Sequence, residues 1–168
     1  MQATRKLAPH LNVRQERKHD MKKILLLAMV TALIGCVTVR SRNAAVTLEF
    51  RPGSQSPGPG LTEMTVPGSE RPIYVSDDAV LSNADVKSAR VVPGPSGPQI
   101  EIVFTKAGAE RFATATENNL MKPLGIIVDG QLISAPTVRE KVSGGRAIIT
   151  GSFSEDEAKR IADGIVGR

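Results

Sequence analysis

Leu124-Gly125-Ile126-Ile127-Val128-Asp129-Gly130-Gln131-Leu132-Ile133-Ser134-Ala135-Pro136 carries a complete hairpin signal. Five consecutive apolar residues predict a strand covered on both faces. Asp129-Gly130 is the dipeptide a tight type I′ turn prefers, because both central residues need positive φ. Gln131 to Ala135 returns as a second strand, and Pro136, lacking an N–H, ends its pairing on one side. Toward the C-terminus, Thr137 to Val142 and Arg146 to Thr150 read as strands around a second turn, Ser143-Gly144-Gly145. Ser154 with Glu157 forms a capping-box pattern with Phe153 in the staple position, and Ala158, Ile161, Ala162, Ile165 and Val166 make the apolar stripe of a helix ended by Gly167.

Toward the N-terminus, Thr105 can cap a helix running to about Asn119, with Ala109, Phe112, Ala113, Thr116 and Leu120 on one face. Asp85 to Val92 and Gln99 to Phe104 predict a hairpin with a loose turn over residues 93–98, and Ile73 to Val75 a short strand. Pro52 to Pro72 holds nine Pro or Gly residues among twenty-one, which predicts a long loop. Asn43 to Phe50 alternates as a half-buried first strand. Together these elements predict an α+β fold, a mainly antiparallel sheet with two helices packed on one face. A domain of about 125 residues can bury enough surface to be stable without a disulfide or metal.

The 168 residues carry a formal charge of +5, but residues 1–35 hold seven of the 22 Lys/Arg and only two of the 17 Asp/Glu, leaving fifteen of each sign beyond them. The neutral remainder has no Trp and few aromatics, so it lacks both the charge and the stacking surface of a nucleic-acid binder. Both histidines, His10 and His19, precede residue 36, and Cys36 is the only cysteine. Ser-His-Asp and Cys-His catalysis and an internal disulfide are thereby excluded from the folded part, and no cofactor is expected.

Met21-Lys22-Lys23 followed by a short apolar run to Gly35 reads as a secretory signal, too short for the ~20 residues of a spanning helix. Leu33-Ile34-Gly35-Cys36 resembles the lipobox of bacterial lipoproteins, which implies cleavage before Cys36 and lipid, palmitate included, on its thiol. An ordinary signal with an incidental Cys, or a short membrane helix, are the other readings of these residues. Residues 1–20 are read as lying ahead of the true start, 21–35 as signal, 36–72 as lipidated Cys, first strand and loop, and 73–168 as the folded domain. Since Val37 is not the Asp that resembles an inner-membrane retention signal, the periplasmic face of the outer membrane is the expected location in a host with two membranes.

Three segments carry a family resemblance: residues 105–112, Leu124 to Gly130 with Ile133-Ser134-Ala135-Pro136, and Ser143 to Gly151 followed by Phe153 and Glu157-Ala158. In order and spacing they are similar to the head part of the first periplasmic domain of SecD, an accessory subunit of bacterial protein export. Val80-Leu81 with Asp85-Val86 resembles the segment upstream. SecD continues into a membrane bundle that couples export to the proton gradient, and the sequence here stops at Arg168. What the resemblance implies is therefore limited to the head, namely contact with emerging polypeptide.

Other motifs have plainer explanations. Ser143-Gly144-Gly145-Arg146 lacks the spacing and the Lys-Ser or Lys-Thr of a phosphate loop. Asp77-Asp78 reads as a solvated loop, and Glu155-Asp156-Glu157 as acids favoured at a helix N-terminus. An open sheet edge can accept an extended peptide by strand addition. Gln131, Ser134 and Pro136, or Arg146 and Thr150, are the expected edge. The function expected is a non-enzymatic envelope lipoprotein contacting exported polypeptide or the export machinery. The alternative is a lipid-anchored structural or ligand-binding module unrelated to export.

Overall fold

The computed structural model describes residues 46–167. The signal-like segment, Cys36 and the start of the first expected strand lie outside them. The elements run β1 (Leu48–Ser54), β2 (Leu61–Thr65), β3 (Pro72–Ser76), β4 (Leu81–Ser82), a 3-10 turn (Asn83–Asp85), β5 (Val86–Gly94), β6 (Gly97–Phe104), α1 (Lys106–Asn118), β7 (Leu124–Val128), β8 (Gln131–Ser134), β9 (Arg146–Ile149) and α2 (Glu155–Ile165). The fold is α+β, and every strand pairing described is antiparallel. The strands divide into two sheets. One has the order β2-β3-β1-β7-β8 with β4 also on β1, and the other has the order β5-β6-β9.

β7 is buried along its whole length because apolar groups cover both its faces. Leu124, Ile126 and Val128 enter the main core, which also takes the apolar sides of both helices and of the three-stranded sheet. Ile127 points the other way, into a small second core with Val75 and Leu132. At the centre of the main core the rings of Phe50, Phe104 and Phe112 meet with centroids 4.7 to 5.7 Å apart, two of the three pairs edge to face. At the turn after β7, Asp129 has φ +49° and Gly130 φ +78°. Asp129 also accepts from the Thr47 N–H at 2.9 Å, so the hairpin tip is tied to the entry of β1.

Asn83 closes the same end of the domain: its side chain accepts from Leu48 N–H and donates to the carbonyls of Val46 and Ile165. Both termini of the described chain are thus held at one pole by a single amide. Helix α1 starts where Thr105 Oγ1 accepts from Gly108 N–H at 3.0 Å, and α2 where Ser154 Oγ accepts from Glu157 N–H at 3.2 Å.

Three expectations need correction. Residues 52–72 are not one loop: β1 continues to Ser54, and Leu61–Thr65 forms β2 against β3. β2 lies at the sheet margin, where a strand with exposed Thr62, Glu63 and Thr65 is tolerated. Thr137 to Val142 is not a strand, and Ser143-Gly144-Gly145 is not a hairpin turn. Val138 exchanges hydrogen bonds with Met121 and Lys122, and Val142 N–H donates to Thr116 Oγ1, so this segment belongs to the end of α1. Gly144 and Gly145 instead bend the chain into β9, and Gly145 (φ +66°) accepts from Phe104 N–H at 2.9 Å. Leu120, finally, is 46% exposed, because α1 stops at Asn118 before the periodicity reaches it.

On the outer face of the three-stranded sheet, Glu101 accepts from Arg90 at 2.6 Å and from Arg146 at 3.4 Å. The hydrogen bond from Arg90 holds the Glu101 carboxyl below the usual carboxylate range, partial burial opposing it and the Arg146 charge adding to it. A depressed folded-state value contributes stability above the ordinary value of about 4.5, which is lost as pH falls through the lower, folded value. Glu101→Gln is therefore expected to flatten the acid limb of the stability profile while leaving the Gly130 hairpin intact. Urea midpoints across that pH range check it, and parallel acid limbs for the two proteins would refute it.

Candidate functional site

The two strands expected to offer an open edge are the terminal strands of their sheets, β8 of the larger and β9 of the smaller. A cleft of about 370 Å³ lies along β8 and just past the end of β9. Gln131 and Ser134 reach it from β8, Thr150 from the residue after β9, and Phe153 from the approach to α2. Val66 and Pro67, from the loop between β2 and β3, also line it.

Local sequence explains how the cleft is shaped. Ser134 pairs with Ile126 and Gln131 with Val128, with an irregularity between Ile126 and Ile127 that re-aims the strand. At Gly151 a Cβ would stand 2.6 Å from Phe153 Cζ and 3.1 Å from Ile133 Cγ2, so the absent side chain lets the Phe153 ring fold against the backbone beside β8. The result is an apolar wall (Ile133, Phe153, Val66) with amide and hydroxyl groups at its rim (Gln131, Ser134, Thr150) and one carboxylate, Glu157. Such a surface suits main-chain hydrogen bonding plus one or two apolar side chains.

Pro136 and Arg146 are not part of this lining. Pro136 uses its carbonyl to accept from Leu124 N–H at 2.9 Å, continuing the hairpin inward. Arg146 turns to Glu101 on the outer face of its sheet. Val66, Pro67 and Phe153 complete the cleft. The first two fall in the segment whose Pro/Gly density predicts a loop, and the third is in the staple position of α2. Proline and glycine density masked the first pair, and no local pattern signals a hairpin loop that folds back on a strand 65 residues later.

The carboxylate pairs take part in local structure. Asp77 accepts from Thr62 Oγ1 at 2.6 Å across β2 and β3, and Glu155, Asp156 and Glu157 occupy the first turn of α2. Among the described residues, no three His, Cys, Asp or Glu side chains stand close enough to hold a metal.

Residues 61–165 match the family described as SecDF, P1 head subdomain. The chain belongs to this family. The SecDF protein translocase subunit of Thermus thermophilus is 40% identical over 84 residues, which cover 49% of this chain and 11% of that protein. The SecD subunit of Syntrophobacter fumaroxidans is 35% identical over 96 residues, covering 56% of this chain and 18% of that one. The chain thus spans less than a fifth of these relatives. Among solved structures, SecDF in its super-membrane-facing form superposes with a TM-score of 0.62 at 28% identity, covering 74% of this chain and 19% of the other. A second, from work on SecDF as a membrane component that enhances protein export, gives a TM-score of 0.60 at 25% identity and covers 96% and 71%.

Proposed function

We propose that this P1-head domain works in protein export as a non-enzymatic, lipid-tethered module that contacts extended polypeptide at the β8–β9 cleft. The observation that carries the proposal is that Gln131 and Ser134, from the end strand of the larger sheet, and Thr150, the residue just after the end strand of the smaller one, line one cleft with apolar residues. An extended segment can pair its main chain with an edge and place alternate side chains on that wall, which reads little sequence and suits many clients. Membership of the P1 head family, whose relatives are named as protein translocase subunits, supports export as the setting. Cys36 supplies the proposed membrane attachment through covalent lipid, and the outer membrane is its proposed address.

Photo-cross-linking residues placed at Gln131 and Thr150 of the full chain are expected to capture exported polypeptides in cells during active secretion. Capture should survive moderate salt, because the cleft carries a single carboxylate and no cation. Capture of one folded envelope protein irrespective of secretion would replace this reading with a structural module. Turnover of a substrate by the purified protein would overturn both.

A further inference from the structure

The margin of a sheet is a row of unpaired N–H and C=O groups that invites another strand, and proteins guard it with charge, proline or a bulge. Among the described residues β2, β8, β5 and β9 form such margins. β2 carries Glu63 and runs into Pro67, β8 has four residues and is soon followed by Pro136, and β5 carries Lys87, a bulge between Val86 and Ser88, and Pro93. β9 has none of these devices. Its one charged residue, Arg146, turns across the sheet to Glu101 at 3.4 Å, which leaves Ala147, Ile148 and Ile149 along the margin. Ile148 is 44% exposed, and Ala147 is only half-buried although it packs on the main core.

The register decides which backbone groups point outward. Phe104 N–H donates to Gly145 O at 2.9 Å. By the alternation of an antiparallel pair, Ala147 and Ile149 then also bond to β6, opposite Ile102 and Ile100. The N–H and C=O of Arg146, Ile148 and Thr150 are left facing the free margin, where no described strand pairs with them.

This margin is complementary to itself. An antiparallel second copy centred on Ile148 sets Ile148 beside the partner's Ile148, with both exposed side chains on the outer face. Arg146 then stands opposite the partner's Thr150, so every outward N–H and C=O of the three residues meets one of opposite kind. On the inner face the small Ala147 lies across from the partner's Ile149, where closely spaced side chains need one small member. Arg146 and the partner's Arg146 are four residues apart along the strands, roughly 14 Å, which exceeds the Debye length of ~8 Å at physiological salt. A slip of one residue would set core-facing side chains against solvent-facing ones. Hydrogen-bond phase, side-chain size and charge thus agree on an occupant with the same sequence.

We infer that two copies of this chain associate through their β9 margins about a two-fold axis at Ile148, joining the two three-stranded sheets into one of six strands. The contact is isologous, as in most soluble dimers, and its small area makes it reversible. It uses the β9 margin alone and leaves β8 of each copy free.

The test follows amide exchange in the purified full chain, solubilised in detergent, as its concentration is raised. Between about 10 µM and about 1 mM, exchange at Arg146, Ile148 and Thr150 should slow about tenfold, while Ala147 and Ile149, already bonded to β6, should not change. Ile148→Lys sets like charges opposite each other at the axis and should remove this concentration dependence. Its melting temperature at the low concentration should match that of the unaltered chain, because the side chain lies on the outer face. Ile148→Thr keeps a β-branched strand former and should weaken the effect in the same direction. Unchanged exchange at Ile148 at the high concentration, slowing confined to other residues, or equal concentration dependence in all three proteins would each overturn the inference. A photo-cross-linking residue at Gln131, on β8, should not join two copies, so this association and the export reading fail separately.

Discussion

Gly108→Ala is expected to destabilise the domain by about 3 kcal/mol, although alanine is the better helix former by ~1 kcal/mol. Gly108 lies in the first turn of α1 and is buried against the 3-10 turn. A Cβ there would overlap the backbone carbonyl of Asp85 and stand 2.9 Å from the Asp85 Cβ. Asp85 cannot retreat without loss. Its carbonyl accepts from Thr105 N–H at 2.7 Å, its Oδ2 accepts from Ser82 N–H at 3.0 Å, and its Oδ1 lies 3.0 Å from Arg111. The Asp85 side chain is also almost fully buried, so separating it from Arg111 leaves a carboxylate out of water without its counter-ion. Urea unfolding checks the sign as well as the size. A rise in midpoint would mean that helix propensity outweighs the contact and that α1 is not seated on the 3-10 turn as described. Gly144→Ala serves as the control, since nothing lies within 4 Å of a Cβ at that position, and little change is expected.

That contrast also explains which parts of the fold were legible in the sequence. β7 and its turn were legible because each signal is local: five apolar residues in a row, then a dipeptide suited to two positive φ values. α2 was legible because the cap, the acidic first turn and the apolar stripe all agree. β2 was hidden because its pairing with β3 is set by a partner beyond the Val66-Pro67-Gly68 turn, while its own residues are mostly polar and exposed. The sequence marks β9 as extended but points to the wrong neighbour. It pairs with β6, more than forty residues earlier, and the residues between Pro136 and Ser143 go to the end of α1 instead. Periodicity reports that a segment is extended, and it does not report which strand will accept it.

The candidate site divides along the same line. Gln131, Ser134 and Thr150 were chosen as edge residues and share a cleft, because the margin of a sheet follows from where hairpins end. Arg146 was chosen for the same reason, yet its charge is drawn across the sheet to Glu101, a cross-strand pairing that needs the β6–β9 register to be known. Leu120 continues the helical spacing, yet it is exposed because α1 ends at Asn118 and the spacing alone does not mark that end.

Cys36→Ser is expected to abolish incorporation of labelled fatty acid completely and to release the protein from membranes or leave it unprocessed. Chemistry makes the effect all or none: a serine hydroxyl is a far poorer nucleophile than a thiolate, so thiol-directed acylation has no acceptor once the only cysteine is gone. Acyl chains contribute ~0.8 kcal/mol per buried methylene, and stable anchoring needs a second chain or a basic patch in addition to one. The folded part offers neither substitute, since no helix among the described residues is long and apolar enough to cross a membrane and the chain beyond residue 35 is formally neutral. Membrane association of the processed protein is therefore expected to follow the label. Unchanged labelling in Cys36→Ser would overturn the lipoprotein reading. Label lost while the processed protein stays in the membrane fraction would mean that the polypeptide itself holds the domain there.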